Sequence, residues 1–231
     1  MREIVLDTET TGLDPYSGHR LVEIGCVELF NGIPTGQIFH QYVNPDRDMP
    51  REAFNVHGLS IEFLSDKPRF DEIADAFLSF VGDSPLVAHN AMFDTNFLNA
   101  ELERIGKGLI GRERVVDTLM LARRRHPAGP NSLDQLCIRY GIDISRRTKH
   151  GALLDAEILA EVYVELTGAR QATLVLVETH GGGTDEQRLA AGPRIRLTPL
   201  LPRITADDVA AHAAFVATLG ENAIWRDYAQ A

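Results

Sequence analysis

Four acidic residues and one histidine have the types and spacing that suit catalysis with metal ions. Asp7 and Glu9 lie two residues apart in an apolar run with the pattern of a strand, so both side chains point to the same side of the predicted sheet. Carboxylates placed in this way can share divalent cations. Taken alone, the same pair also describes a strand end with two solvated acids.

The other two acids, Asp94 and Asp155, fall in predicted helices. Asp94 lies in the first turns of its helix, where an acid is also explained by the helix macrodipole, an effect of about 0.3 to 1 kcal/mol. Asp155 interrupts an apolar helix that includes Leu154 and Ile158, and burial of an unpaired carboxylate is costly unless a cation compensates it. His150 precedes this helix in a polar stretch, from which it can reach a substrate.

Together these residues match the requirements of two-metal phosphodiester hydrolysis. Hard cations take oxygen ligands, and a pair of them about 3.5 to 4 Å apart activates water and stabilises the leaving oxygen. We therefore expect two divalent metal ions, Mg²⁺ or Mn²⁺, with a neutral histidine that takes the proton from water. The predicted catalytic set consists of Asp7, Glu9, Asp94, Asp155 and His150.

The composition of the 231-residue chain limits how it can hold a polyanion. A net charge of −10 argues against binding through a basic surface, since phosphate neutralisation requires clustered Lys and Arg. Cations bound at the acidic cluster would supply the missing positive charge. Cys26 and Cys137 lie in apolar runs and predict no disulfide. The chain starts with a strand-like run and has no long apolar stretch, which predicts a cytoplasmic protein.

Hydrophobic periodicity predicts an α/β domain with a mixed central sheet flanked by helices. Three strands come first, with a hairpin signal at Asn31-Gly32: Glu3 to Thr10, Leu21 to Phe30 and Gln37 to Val43. Short strands then alternate with helices: strands at Pro85 to Ala88 and Val115-Val116, and helices after Pro68, from Met92, from Leu133 to Tyr140 and up to Gly168.

The sequence changes character after Gly168. His180 to Pro193 is rich in glycine and polar residues, whereas Thr205 to Leu219 again has helical spacing, and Thr205 with Asp208 fits a capping box. We expect a catalytic domain over residues 1–170, a linker over 171–193, and a flexible tail over 194–231 that folds on binding.

Several motifs resemble those of the DEDDh exonuclease superfamily. They are V-L-D-T-E-T-T-G-L, V-H-G-L, H-N-A-M-F-D-T-N-F-L and H-G-A-L-L-D-A. More closely, residues 3 to about 168 are similar to the family of epsilon proofreading subunits of bacterial DNA polymerase III. The resemblance implies an RNase H-like 3′→5′ exonuclease domain that removes misincorporated 3′-terminal nucleotides. It also implies that the four acids are metal ligands and that His150 is the general base.

The same resemblance implies substrate and partner sites. Around the terminal nucleotide it places Thr8, Thr10, Gly12, Leu13, His57, His89 and Phe93, although Leu13 and Phe93 are equally good core residues. Gln171, Leu174 and Leu176 look like a sliding-clamp-binding motif, a pattern that an ordinary short strand also satisfies. The tail through Trp225 is similar to the segment that binds the polymerase III alpha subunit, and a small theta-like subunit is a further partner to consider.

Two rival functions fit parts of the pattern. A DEDDh exoribonuclease acting on RNA 3′ ends would share the catalytic residues, but it needs no clamp or polymerase anchor. A non-catalytic adaptor that bridges polymerase and clamp would need the tail, but not five intact catalytic positions. The sequence therefore favours an exonuclease that acts on a single-stranded or frayed DNA 3′ end, since unpairing is less costly at a mismatch.

Overall fold

The computed structural model describes residues 1–145, 147, 149–168, 204–220 and 225, which belong to two separate units divided after residue 174. The strands of the first unit are β1 (Arg2–Thr10), β2 (Leu21–Phe30), β3 (Ile33–Tyr42), β4 (Leu86–Ala88) and β5 (Val115–Asp117). Its α-helices are α1 (Arg51–His57), α2 (Ile61–Leu64), α3 (Phe70–Val81), α4 (Met92–Arg104), α5 (Thr118–Arg125), α6 (Leu133–Tyr140) and α7 (Ala152–Thr167). Short 3-10 helices lie at Pro15–Ser17 and Arg112–Arg114.

The five strands form one mixed sheet in the order β3-β2-β1-β4-β5. The first three strands pair antiparallel, and β4 pairs parallel with both β1 and β5. Asn31 and Gly32 form the predicted hairpin turn, with φ of 52° and 75°, because a type I′ turn needs positive φ at both central residues. Pairing resumes at once between Phe30 and Ile33, so β3 begins earlier than the predicted Gln37.

Successive side chains of β1 point to opposite faces of the sheet. Ile4 and Leu6 lie in the core between the sheet and helices α3 and α4. Val5 lies on the opposite face in a cluster with residues of α7. Because side chains alternate along a strand, Asp7 and Glu9 follow Val5 onto the α7 face, as their two-residue spacing predicts.

Helix α7 runs antiparallel to β1. The hydroxyl of Tyr163 donates a hydrogen bond of 2.6 Å to Glu3 at the start of β1. The rise from Asp155 to Tyr163 along the helix is about 12 Å, and the strand from Asp7 back to Glu3 spans about 13 Å. A contact at one end of α7 therefore holds Asp155 opposite Asp7 at the other.

The start of α7 lies directly on β2 at Gly25. This glycine pairs with Asp7 across the sheet, and a Cβ atom added to it would lie 2.2 Å from the backbone nitrogen of Leu153. Only glycine permits so close an approach between a strand and a helix backbone. Gly25 therefore sets the distance between the first turn of α7 and the acids of β1.

The sequence periodicity does not predict α1, α2 or α5. Helices α1 and α2 have only 7 and 4 residues, which is shorter than the window over which helical periodicity becomes distinct. Helix α5 has 8 residues, as many as the predicted α6, but it ends in three consecutive arginines with no apolar spacing. In the second unit, helix α8 (Ala206–Thr218) begins with the predicted capping box of Thr205 and Asp208. None of the helices in the described part of the chain is long and apolar enough to cross a membrane.

We predict that Gly25→Ala forces α7 away from the sheet. Overpacking a tight contact costs about 1 to 3 kcal/mol, so the free energy of unfolding in urea should fall by that amount. Gly108→Ala is the matched control, because a Cβ atom at Gly108 meets nothing within 4 Å. Equal stability of the two variants would contradict the proposed close contact.

Candidate active site

The C-terminal half of β1 carries two of the acids. Glu9 is buried, whereas Asp7 is half-buried. Burial, followed by repulsion from Asp155 and Glu23, raises the pKa of Glu9 to about 8. Burial and the charges of Asp94, Glu9 and Asp155 raise the pKa of Asp7 well above its usual range. The fold thus places negative groups where they destabilise one another's ionised form.

Asp94 lies in the first turn of α4 and is buried. The hydroxyl of Thr8 donates a hydrogen bond of 2.7 Å to its Oδ1 atom, which ties α4 to β1. The turn before α4 contains Asn90 with φ of 65°, and this tight turn directs the helix back over the end of β1. Burial raises the pKa of Asp94 to about 7, although the Thr8 hydrogen bond opposes the shift.

Asp155 has a different environment because Arg147 neutralises it. The Nε and Nη2 atoms of Arg147 lie 2.5 and 2.7 Å from the two carboxylate oxygens of Asp155. Burial acts to raise the pKa of Asp155, but hydrogen bonds from His150 and Arg147 outweigh it and lower that pKa. Arg147 also forms an ion pair with Asp134 of α6, so it joins three elements at the site.

His150 lies at the mouth of the site with its side chain 49% exposed. Its Nδ1 atom is 3.1 Å from Asp155 Oδ2 and 2.8 Å from Arg147 Nη2. The backbone NH of His150 donates to the carbonyl of Val56 in α1, at 3.4 Å. The neighbouring Lys149 places its ammonium 5.1 Å from the ring centroid of Phe54. The loop that carries His150 is therefore anchored on α1.

The donor set fits divalent cations. One potential ligand atom each from Glu9, His150 and Asp155 lies within 4.8 Å of the others. Asp7 and Asp94 add carboxylates whose raised pKa reflects burial together with neighbouring negative charge. Oxygen-rich sites with excess negative charge select hard cations such as Mg²⁺ and Mn²⁺. The structure therefore brings together all five residues of the predicted catalytic set.

Two clefts meet at the acidic cluster. The α5–α6 cleft has a volume of about 850 Å³ and is lined by Asp7, His89, Leu119, Arg123, Pro127, Gly129, Pro130, Asn131, Ser132, Leu133, Asp134, Arg147, His150 and Asp155. The β1–α1 cleft has a volume of about 510 Å³ and is lined by Glu9, Thr10, Thr11, Gly12, Leu13, Asp14, Ser17, His19, Pro50, Glu52, Ala53, Val56, His57 and Phe93. The acids thus lie between two spaces large enough for small ligands.

The predicted substrate residues divide between these clefts. Five of them line the β1–α1 cleft, namely Thr10, Gly12, Leu13, His57 and Phe93. His89 lines the α5–α6 cleft, and Thr8 is buried against Asp94. Leu13 is 85% exposed and is not a core residue, whereas Phe93 is half-buried with its ring centroid 5.0 Å from that of Phe97.

His57 offers a hydrogen-bond donor to the β1–α1 cleft. The backbone NH of Leu59 donates to its Nδ1 atom at 3.0 Å, which places the imidazole proton on Nε2. Burial lowers the pKa of His57, so the ring is neutral near pH 7. Its buried Nε2 has no hydrogen-bond partner among the residues that the structure describes. A ligand oxygen in this cleft would satisfy it.

Sequence reasoning missed two groups of site residues. Arg147 lay within a run of basic residues, and its only signal was its position a few residues before a helix with an apparently unpaired buried acid. Glu52 and Val56 line the β1–α1 cleft from α1, a helix that the sequence periodicity does not predict. The sequence motifs on β1, α4 and α7 therefore identified the catalytic set, but not the other residues that line the clefts around it.

Solved structures share this architecture. Exonuclease X in complex with 5′ overhanging duplex DNA is 27% identical with a TM-score of 0.56, over 71% of this chain and 90% of that one. The nuclease domain of 3′hExo, a DEDDh family member bound to rAMP, has a TM-score of 0.62 at 17% identity, over 72% and 92% of the two chains. The sheet, its helices and the acidic cluster thus define an RNase H-like exonuclease domain, as the sequence predicts.

Comparison with sequence relatives identifies a more specific family within this class of nucleases. The Exonuclease family model matches residues 4–163. DNA polymerase III subunit epsilon of Rickettsia felis is 54% identical over 181 residues, which cover 77% of this chain and 79% of the relative. The subunit of the same name from Escherichia coli K12 is 43% identical over an alignment that covers 97% of each chain. The chain therefore belongs to the exonuclease family, in the group of DNA polymerase III epsilon subunits.

We predict that the acidic cluster makes the metal-free protein less stable as pH rises. Glu9 and Asp94 have pKa values of about 8 and 7 in the folded chain, against ordinary values of 4.5 and 3.8. The folded state therefore holds more protons than the unfolded state between about pH 4 and pH 8, and the free energy of unfolding falls across this window. Urea unfolding in a chelator measures the slope.

Asp94→Asn tests the source of that slope. The amide cannot ionise, so this variant should show a shallower pH dependence and exceed wild-type stability at pH 8 by about 1 kcal/mol or more, given about 1.4 kcal/mol per pKa unit. Asp83→Asn, which changes an exposed acid between α3 and β4, is the control. An unchanged slope in Asp94→Asn would show that burial of the cluster does not govern stability.

We also predict that Arg147→Gln lowers kcat about 10-fold to 100-fold, the usual effect of losing a residue that orients metal ligands. The half-saturating Mg²⁺ concentration should not rise, because the substitution removes a positive charge from beside the site. Metal titrations of nuclease activity separate the two effects. A variant whose full activity returns at high Mg²⁺ would contradict an orienting role for Arg147.

Proposed function

We propose that this chain is the proofreading 3′→5′ exonuclease subunit of a DNA polymerase III, which removes misincorporated nucleotides from the DNA 3′ end. The observation that supports this most is the convergence of the four acids and His150 between two clefts, in a member of the epsilon group. The relatives do not favour the exoribonuclease and adaptor alternatives. Because replication takes place on the chromosome, we place the chain in the cytoplasm.

In the proposed mechanism, Asp7, Glu9, Asp94 and Asp155 hold two divalent cations, Mg²⁺ or Mn²⁺. When bound, these cations supply the charge that stabilises the attacking and leaving oxygens. A general base at His150 would carry its proton on Nδ1, 3.1 Å from Asp155 Oδ2, and take a proton from water on Nε2. In that tautomer Nδ1 cannot also accept from Arg147 Nη2, which lies 2.8 Å away and can only donate.

The protein contributes position as well as charge. Arg147 fixes the carboxylate of Asp155 and contacts the ring of His150, so the base and the ligand keep one relative geometry. Thr8 does the same for Asp94 through its hydroxyl. Rigid placement of reacting groups accounts for a large part of the rate enhancement in such hydrolyses.

The terminal nucleotide belongs in the β1–α1 cleft. Leu13 and Phe93 offer apolar surface to the base and sugar, and Nε2 of His57 offers a donor. Such contacts do not read base identity, so the preference for errors comes from fraying. A mismatched terminus unpairs at lower cost and enters the site as a single strand more often.

The proposal is tested by degradation of primers that differ only in whether the 3′-terminal base is paired. With Mg²⁺, the mismatched primer should be shortened faster from its 3′ end, and an RNA strand of the same sequence should be a poor substrate. His150→Ala should lower kcat by about 10² to 10⁴, the usual contribution of a general base. Preferential degradation of RNA, or full activity in His150→Ala, would overturn the proposal.

The partner assignments concern the rest of the chain. The predicted clamp motif, Gln171, Leu174 and Leu176, and the predicted linker over 171–193 lie outside the described residues. Helix α8 exposes Val209 and Phe215, and His212 packs edge-on against Trp225 with ring centroids 5.7 Å apart. We propose that this apolar segment binds the polymerase alpha subunit. A clamp contact and a theta-like subunit belong to the same proposal.

We predict that a fragment of residues 1–180 degrades single-stranded DNA at nearly the full rate, because every catalytic residue lies before Gly168. It should not co-elute with the alpha subunit in gel filtration, since α8 is missing. Replacing Gln171 and Leu174 by Ala in the full chain is the complementary variant, which should weaken clamp binding only. Co-elution of the fragment with the alpha subunit would place the anchor in the catalytic domain.

A further inference from the structure

The α5–α6 cleft has no role in the reaction as described so far, apart from the acids at its inner end. An exonuclease substrate continues on the 5′ side of the scissile phosphate, so the remainder of the strand must leave the metal site in some direction. The β1–α1 cleft is poorly suited to carry it. Acidic residues Glu9, Asp14 and Glu52 line that cleft, and the described residues of its lining include no Lys or Arg.

The α5–α6 cleft contains a cation that is available for a phosphate. Arg123 is exposed in the last turn of α5 and has no hydrogen-bond or ion-pair partner among the described residues. Two other arginines near this cleft already have hydrogen-bond or ion-pair partners. Arg147 is bound by Asp134 and Asp155, and Arg125 donates to the carbonyls at the end of α7.

Arg123 and His89 line the same cleft. Burial lowers the pKa of His89, the Asn131 backbone and the charge of Asp117 oppose this shift, and the charge of Arg123 adds to it. The guanidinium therefore acts on a ring that lines the same cleft. His89 Nδ1 lies 2.9 Å from the hydroxyl of Thr118, and a hydrogen bond with the backbone of Asn131 also acts on the ring, so the imidazole is held in place as part of the cleft wall.

The remaining surface of the cleft suits a sugar and base without reading sequence. Leu119, Pro127, Pro130 and Leu133 supply apolar area. Among the residues that the structure describes here, the lining holds no Phe, Tyr or Trp, so these residues do not supply the base stacking of dedicated single-strand binders. A single cationic side chain for one phosphate, together with a short apolar wall, indicates a weak contact with a short stretch of the strand.

We propose that the α5–α6 cleft guides the strand on the 5′ side of the scissile phosphate, and that Arg123 contacts the next phosphate along that strand. This assignment rests on the proposed nuclease function and adds a residue to it. His89 then faces the penultimate nucleotide rather than the terminal one. The cleft thus extends the substrate site beyond the residue that is removed.

The test compares substrates that differ in the length of the upstream strand. The p-nitrophenyl ester of thymidine 5′-monophosphate has no upstream strand, the thymidine dinucleotide has no second phosphodiester, and longer oligothymidylates have both. For Arg123→Gln, the ratio of kcat/KM on a trinucleotide or longer strand to that on the ester should fall about 5-fold to 10-fold, roughly 1 to 1.4 kcal/mol. The loss should appear mainly in KM.

Arg124→Gln is the matched control. Arg124 is the next residue of α5, is also exposed, and is not part of the cleft lining, so its ratio should match the wild type. The salt dependence of binding to a long oligothymidylate should also become shallower in Arg123→Gln alone, by about 0.7 in the log–log slope for one lost phosphate contact.

Equal ratios in the two variants, or an equal loss on the ester and the long strand, would overturn the role of Arg123. Failure of the wild-type protein to cleave both the ester and the oligothymidylates with Mg²⁺ or Mn²⁺ would instead overturn the proposed nuclease function. Normal wild-type turnover with an Arg123-specific, length-dependent loss is the result that supports the inference.

Discussion

Repulsion among buried carboxylates is the constraint on which the rest of this structure depends. Asp7, Glu9 and Asp94 share the end of β1 and its neighbouring helix, where burial and like charge raise their pKa values. Asp155 differs because hydrogen bonds from His150 and Arg147 outweigh its burial and lower its pKa. A site of this kind is unfavourable without cations and binds them strongly for the same reason.

The fold holds these groups together through contacts between its elements. Tyr163 binds Glu3 near one end of α7, and Gly25 allows the other end to approach β2. Thr8 ties the carboxylate of Asp94 directly to β1. Because packed elements shift as units, small changes at these residues would be transmitted to the acids.

Much of this arrangement follows from the sequence. The spacing of Asp7 and Glu9 gives their common face, and the Asn31-Gly32 turn gives the position of the β2–β3 hairpin, since both rest on local geometry. The sequence does not predict the start of β3 at Ile33 or the register shift between Val27 and Leu29. Gly25 could not be identified in this way, because its role depends on Leu153, which is distant in sequence. The partners of Arg147 are near in sequence, but only the folded loop shows which residue of the basic stretch reaches Asp155. The division of substrate residues between two clefts, with His89 apart from His57, likewise requires the three-dimensional arrangement of α1, α5 and α6.

The most direct test of the account is the number and spacing of the cations that the cluster binds. Mn²⁺ titration followed by electron paramagnetic resonance, in the presence of thymidine 5′-monophosphate, distinguishes isolated ions from a coupled pair. The account predicts two bound Mn²⁺ per chain with the exchange coupling of ions about 3.5 to 4 Å apart, and loss of the coupled signal in Asp7→Ala. A single uncoupled Mn²⁺ at saturation would contradict it.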